Sequence, residues 1–263
     1  MLMALIIIRS FSSYNLVYIS PTEESILKTT SARASGVIFF GSEFPAEEAH
    51  LLSLCPVPWV IIDAHFPYIP ANSIEIDNES AGHMAIHYLH SLGHTEIGYL
   101  HSTEKTGSIP EREVSYRSAM KAHGLSVNPK HIIHLDLFID RSYAQMLEYL
   151  MKNPPLPTAF WADNDILATA AIRALQTLGY QVPEDVSILG TDDSYVGLIS
   201  SPALSTLRIP KTELGELSVQ RIHNILENPE QRLCLKTRVC VSLIQRDSVA
   251  APRTMPIAII AKE

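Results

Sequence analysis

The chain has 263 residues, of which 46% are apolar and 18% charged, and its formal net charge is -8. That is enough apolar sequence to bury a sizeable core in one large or two modest domains, and an acidic balance without a Lys/Arg run argues against gripping a phosphate backbone unaided. Cys55, Cys234 and Cys240 show no CxxC spacing; they read as reduced cytoplasmic thiols and exclude a disulfide framework or a cysteine zinc site.

The chain opens on an apolar run over residues 1–8. It lacks the basic flank and small-residue cleavage site of a secretory leader and is too short to span a bilayer, so it reads as a structural segment and no membrane association is expected. Short β-branched or apolar runs then predict strands at residues 16–19, 36–40, 60–63, 97–100, 159–162, 187–190 and 237–244. Between them the 3.6-residue period predicts helices at 79–92, 111–123, 166–178 and 213–227. In the first helix Ala81, Met84, Ala85, Tyr88, Leu89 and Leu92 form an apolar stripe, with Asp77 and Asn78 as N-cap candidates and Gly93 as the C-cap. The helix at 166 repeats the pattern with Leu167, Ala171, Ala174, Leu175 and Leu178, and stops at Gly179 and Pro183. Strands separated by helical crossovers imply an α/β fold with mostly parallel sheets. The strands are too many for one comfortable sheet, and the polar stretch 101–110, with Thr106, Gly107 and Ser108, reads as a loop crossing between two lobes. No internal repeat is found.

The polar residues concentrate at strand ends. Asn164, Asp165, Asp192 and Asp193 fall just past strands, where ligands bind in open α/β sheets; Asn164 or Asp165 also suits the N-cap of the helix that follows. Asp192 and Asp193 are not assigned as an acid–base pair, because adjacent carboxylates on a turn point apart. There is no GxSxG elbow, Walker A loop or GxGxxG after a strand, so no catalytic residue, cofactor or enzyme activity is assigned. His83, His87, His90 and His94 are spaced four, three and four apart, on one side of the helix and opposite the apolar stripe. Histidines at i and i+4 can chelate a divalent metal. Without an HExxH motif or a nearby carboxylate, a solvated polar face is the preferred reading and no metal is assigned.

Five segments run in a familiar order: ANSIEIDNESAGHMAIHYLHSLGHTEIGYL (71–100), EREVSYRSAMKAHGL (111–125), WADNDILATAAIRALQTLGY with VPEDVSILGTDDS (161–180 and 182–194), SPALSTLRIPKTELGELSVQRI (201–222) and VSLIQRDS (241–248). Over about residues 14–248 the chain resembles the effector-binding region of the lactose-repressor (LacI/GalR) family of bacterial transcription regulators. The resemblance implies two Rossmann-like lobes, a periplasmic-binding-protein-like fold, with a small molecule in the cleft between them. Residues 1–101 with 209–235 would form the N-terminal lobe, 102–208 with 236–250 the C-terminal lobe, and 251–263 a tail.

It also implies roles for individual residues: Arg112 grips the effector, Asp192 is the effector carboxylate of the acidic turn, and Asn164 is the strand-end amide. Asp77 and Asp63 sit on the corresponding edge of the first lobe, Phe138 falls near the position of an aromatic ring, and Trp161 lies on a strand directed at the same region. A planar fork donor, a carboxylate, an amide and an aromatic face suit the hydroxyl pairs and C–H surface of a sugar. A nucleobase could use the same groups by stacking and edge hydrogen bonds; a sugar is the preferred effector.

Departures from the family pattern carry expectations of their own. The helix-turn-helix and hinge helix have no match, so this chain is not expected to bind operator DNA by itself. Residues 14–19 align with the second strand of the first lobe and residues 3–13 with the tail of its first helix, which leaves the central first strand missing and a gap in the sheet. Ser115 replaces a glycine and is expected to reshape the pocket wall. The resemblance implies a cytoplasmic homodimer whose lobes change orientation when ligand binds. The alternatives are a periplasmic-type sugar-binding protein of a transporter, which shares the fold, and a small-molecule enzyme.

Overall fold

The structure, a computed structural model, describes residues 4–10, 13–19, 34–41, 50, 52–64, 66, 68–104, 107–230 and 233–253. Twelve strands occur among them: β1 (Ala4–Ser10), β2 (Ser13–Ile19), β3 (Gly36–Phe40), β4 (Trp59–Ile62), β5 (Ser73–Ile76), β6 (Ile97–Ser102), β7 (Ile132–Leu135), β8 (Ala159–Ala162), β9 (Ser187–Thr191), β10 (Ser205–Arg208), β11 (Lys236–Val239) and β12 (Ser242–Ile244). The helices are α1 (Asn78–Ser91), α2 (Ile109–Ala122), α3 (Ile139–Met151), α4 (Asp165–Thr177), the single turn α5 (Tyr195–Leu198) and α6 (Lys211–Glu227). None of the described helices is long and apolar enough to cross a membrane.

The strands make two six-stranded sheets, ordered β11-β5-β4-β3-β1-β2 and β12-β10-β9-β8-β6-β7. In the first, β3, β4, β5 and β11 are parallel. No parallel first strand precedes β3 among the described residues, yet the expected gap does not exist. β1 lies antiparallel against β3, with Ala4 opposite Phe39 and Ile7 opposite Gly36, and antiparallel against β2, with Ser10 opposite Ser13. The helix tail expected over residues 3–13 is therefore corrected to a strand. The physical reason is main-chain pairing: β3 needs partners for its amides on that side, and Ile6, Ile7 and Ile8 favour extended backbone. Val37, Phe39, Leu52, Ile61 and Ala64 form the core beside this sheet, and α6 packs against β3, β4 and β5.

In the second sheet β7, β6, β8, β9 and β10 are parallel, and β12 closes the edge antiparallel to β10. Its core gathers Leu100, Leu135, Met146, Leu150, Phe160 and Ile188 against Leu167, Ile172 and Leu175 of α4. Asn164 caps α4, accepting the Leu167 amide at 2.9 Å. α1 buries Ala81, Ala85, Ile86 and Leu89. Its buried face thus includes Ile86 and Gly82 in place of the expected Met84, Tyr88 and Leu92, because α2 lies against Gly82.

Main-chain contacts divide the chain differently from the expected boundaries. Of the described residues, one unit holds those up to Asp77, 107–110 and Pro210–Cys240; the other holds Asn78–Glu104, Glu111–Ile209 and those from Val241. β6 therefore belongs to the second sheet and β11 to the first, so the predicted strand at 237–244 is two strands in different sheets. His101 and Ser102 are strand residues and buried, although the polar stretch 101–110 read as a loop.

Candidate functional site

The adjacent strands β6, β8 and β9 end on the same edge of the second sheet, and the residues after them are polar. Past β8 come Asp163 and Asn164; past β9 come Asp192 and Asp193, both with positive φ (117° and 50°). α2 brings Arg112 to this edge. Its guanidinium is nearly buried, donates through Nη1 to the Asp163 carbonyl and through Nε to Asn78 Oδ1 at 3.3 Å, and holds Nη1 3.9 Å from Asp192 Oδ1. Asn78 Nδ2 in turn donates to Glu111 Oε2 at 2.8 Å. The Asp192 side chain keeps 29% of its surface exposed, so an acceptor faces outward beside a fixed planar donor. Arg112, Asp192 and Asn164, assigned by resemblance, are thus brought together. Asn164 uses its amide oxygen for the cap.

The two acidic pairs split by role. Asp193 is clamped by Arg208 at 2.6 Å and Arg246 at 2.5 Å; burial raises its pKa, but the hydrogen bonds and charges of the two arginines outweigh that and hold it below the ordinary aspartate value. Asp165 is wholly buried and accepts the Ser194 amide (2.6 Å), the Ser194 hydroxyl (2.9 Å) and the Thr206 hydroxyl (2.6 Å). This knot requires Gly190: a side chain there would meet Asp165 Oδ1 and come within 2.7 Å of Leu204 Cδ2.

Of the two aromatic candidates, only Phe138 is open. It precedes α3 past the carboxyl end of β7, is 67% exposed, and carries the Arg141 guanidinium 5.1 Å from its ring centroid. Trp161 is corrected to a core residue. It is 0% exposed, donates Nε1–H to Thr191 Oγ1 at 3.0 Å, and lies 5.2 Å from the Tyr99 ring. A central parallel strand is covered on both faces, so neither face of β8 offers a ring to a ligand. Asp63 (φ 58°) and Asp77 lie past the carboxyl ends of β4 and β5 in the first unit. Asp77 donates its amide to Val239 O at 2.9 Å.

Sequence reasoning missed the network beneath the strand ends. The Asp163 carboxylate is fully buried and accepts the Tyr99 hydroxyl, the Ser102 amide at 2.6 Å and His101 Nδ1 at 2.7 Å. Burial, reinforced by the Asp163 charge, pushes the Tyr99 phenol well above its ordinary pKa. The one legible signal was a second acidic residue in WADND, Asp163, just ahead of Asn164 and Asp165. Ser115 is also corrected: its hydroxyl donates to Glu79 O at 3.0 Å and its Cβ faces Gly82, so it fills the α1–α2 contact and not a pocket wall.

The histidine face changes membership. His94 lies beyond the end of α1, after Gly93 reverses the chain at φ +101°; it is buried, with Nδ1 2.8 Å from Thr158 Oγ1 and Nε2 2.8 Å from Ala250 O. Its place is taken by His123, whose ring lies 5.5 Å from His87 and 5.4 Å from His90. Among the described residues no group of three or more His, Cys, Asp or Glu side chains could hold a metal ion.

Residues 86–249, which span this sheet edge, match the periplasmic binding protein-like domain family. The chain is 30% identical over 192 residues to the ribose operon repressor of Haemophilus influenzae, covering 72% of this chain and 56% of that protein. This chain belongs to the LacI family of transcription regulators. It is also 29% identical to the transcriptional repressor PurR of Haemophilus influenzae, over 82% of this chain and 65% of PurR. A LacI family regulator from Mycobacterium smegmatis superposes with a TM-score of 0.75 at 26% identity, over 88% of this chain and 84% of that one. This LacI-family chain spans about half to two thirds of the length of the curated relatives it matches.

Proposed function

We propose that this chain is the effector-binding region of a LacI-type transcriptional regulator, and that its effector is a small neutral polyhydroxylated molecule, a sugar in preference to a nucleobase. The observation that carries the proposal is the buried Arg112 guanidinium, held by Asp163 O and Asn78 Oδ1 with Asp192 Oδ1 3.9 Å away. One fixed fork donor beside one partly exposed carboxylate pairs a diol better than it pairs an anion, which Asp192 would repel. Phe138 supplies the aromatic face, and the Asn164 amide nitrogen a further donor. By resemblance Asp77 and Asp63 are the candidates on the first lobe.

Bound effector would shift the regulator, in the family manner a cytoplasmic homodimer, between two states by its differential affinity for them. Operator contact is assigned to none of these residues, in keeping with the net charge of -8. The relatives are named as repressors, which favours a sensor over a transporter component and over an enzyme; no turnover of a bound ligand is expected.

The test is thermal unfolding against ribose, other mono- and disaccharides, nucleosides and adenine. A ligand at a hundred times its Kd should add about 2.7 kcal/mol, a rise of very roughly 5–10 °C for a chain of this size. The rise should vanish in Arg112→Ala. A sugar response that survives Arg112→Ala would overturn the site, and a response to nucleobases alone would overturn the sugar preference.

A further inference from the structure

The ligand-site reading leaves His101 unused, yet its surroundings are specific. Nδ1 lies 2.7 Å from Asp163 Oδ2 and Nε2 lies 3.4 Å from Glu113 Oε2. Carboxylates only accept, so a ring with a carboxylate on each nitrogen satisfies both contacts only when both nitrogens carry protons. A neutral ring would turn a lone pair towards one of the two oxygens. The same Asp163 offers its main-chain carbonyl to Arg112, and the residue after it caps α4.

We propose that His101, doubly protonated between Asp163 and Glu113, is a positioning residue that keeps the β8 end and hence Arg112 in place, so that the hold on Arg112 loosens when the ring loses a proton. Its bearing on effector affinity rests on the ligand-site reading; its bearing on Arg112 does not.

The carboxylates around the ring support the charged form, and the Arg117 cation opposes it. From β8 comes Asp163, and from α2 come Glu113 and Arg117. From β6 the Tyr99 ring stacks at 5.5 Å, and from β7 the His134 ring stands edge-on at 5.2 Å. Arg117 spends its guanidinium on Glu113 at 2.9 and 2.6 Å. Burial lowers the His101 pKa, but the hydrogen bond and charge of Asp163 and the charge of Glu113 outweigh it, and the value lies above that of an ordinary histidine. A folded pKa above the unfolded one means the stabilisation is complete below about pH 6.5 and is lost as pH rises through the folded value.

The experiment follows the Arg112 guanidinium protons by NMR in the ligand-free chain, the Nη1–H that donates to Asp163 O above all, assigned by their loss in Arg112→Lys, from about pH 6 to about pH 8.5. Beyond the intrinsic pH dependence of exchange, their protection should drop about tenfold or more in the wild type, the scale of losing one charge-assisted hydrogen bond. Protection in His101→Gln should show no such inflection, and Glu113→Gln, on a partly exposed helix face, should move the inflection to lower pH. Unchanged protection in the wild type, or an inflection that Glu113→Gln leaves in place, overturns the proposal; if His101→Gln does not fold, the Glu113→Gln comparison decides it. Thermal shifts with ribose at the same two pH values separate the ligand reading. A pH-dependent Arg112 signal without any ribose response leaves His101 as proposed and counts against ribose.

Discussion

At the scale of single residues, the proposed site gives neighbouring acids of one type opposite duties, and substitution should separate them. Asp192→Asn is expected to weaken effector binding by about ten- to a hundredfold, the worth of a hydrogen bond to a charged group, while leaving the melting temperature nearly unchanged. Asp193→Asn should do the reverse: it unclamps Arg208 and Arg246 and lowers the melting temperature with little effect on the effector Kd. Because the folded Asp193 pKa lies below its unfolded value, its contribution is present above about pH 4 and disappears as pH falls through the folded value. A pH series of thermal midpoints for Asp193→Asn should therefore converge with the wild type in acid; parallel curves would refute this account. Nothing in GTDDS distinguishes the two acids as residue types. The family pattern singled out the first, and only the two arginines, from β10 and from beyond β12, explain the second.

At the scale of elements, the contact between α1 and α2 depends on a missing side chain. A Cβ on Gly82 would lie 2.8 Å from Ser115 Cβ and closer still to its hydroxyl, so Gly82→Ala should destabilise by about 1–3 kcal/mol as overpacking. Gly82→Ala with Ser115→Gly should recover most of that loss in urea unfolding; a double variant as weak as the single one would show that the helices are set by something else. Four of the longer helices were legible, whereas α3 (Ile139–Met151) was missed. Asn164 and Gly93 mark their ends by capping chemistry, which is local and therefore readable. β1 was not legible, because its strand state depends on an unfilled edge of β3. β5, β7 and β10 were also missed; at four residues each, they are too short for a period to declare itself.

At the scale of the whole molecule, the histidines shape stability in opposite directions. Burial holds the His94 pKa below the ordinary value, only partly offset by its bond to Ala250 O. The His123 pKa is lowered by what burial it has and then by the charges of His90, His87 and His83. Both contributions are present above about pH 6.5 and fade as pH falls through the folded values, whereas that of His101 fades as pH rises. A maximum in thermal stability between these arms is expected. His94→Gln should flatten the acid side, seen as a smaller drop in melting temperature between about pH 7 and about pH 5. An acid arm unchanged by that substitution would place the loss among the carboxylates.

By itself the sequence determined what depends on local order: the alternation of strand and helix, the capped helix ends, and polar residues stationed past the carboxyl ends of strands. Motif order was sufficient to single out Arg112, Asn164 and Asp192 as candidates, and the fold brings them to one sheet edge. Tertiary structure alone decided which polar residues are spent within the protein. Asp163, Asp165 and Asp193 are spent on Tyr99, His101, Ser194, Thr206, Arg208 and Arg246, partners 15 to 64 residues away in the chain. Trp161 looked like a ligand platform until both faces of β8 were covered. A buried charge or ring is defined by what surrounds it, and those surroundings come from packing across the sheet, at separations where the sequence carries no period.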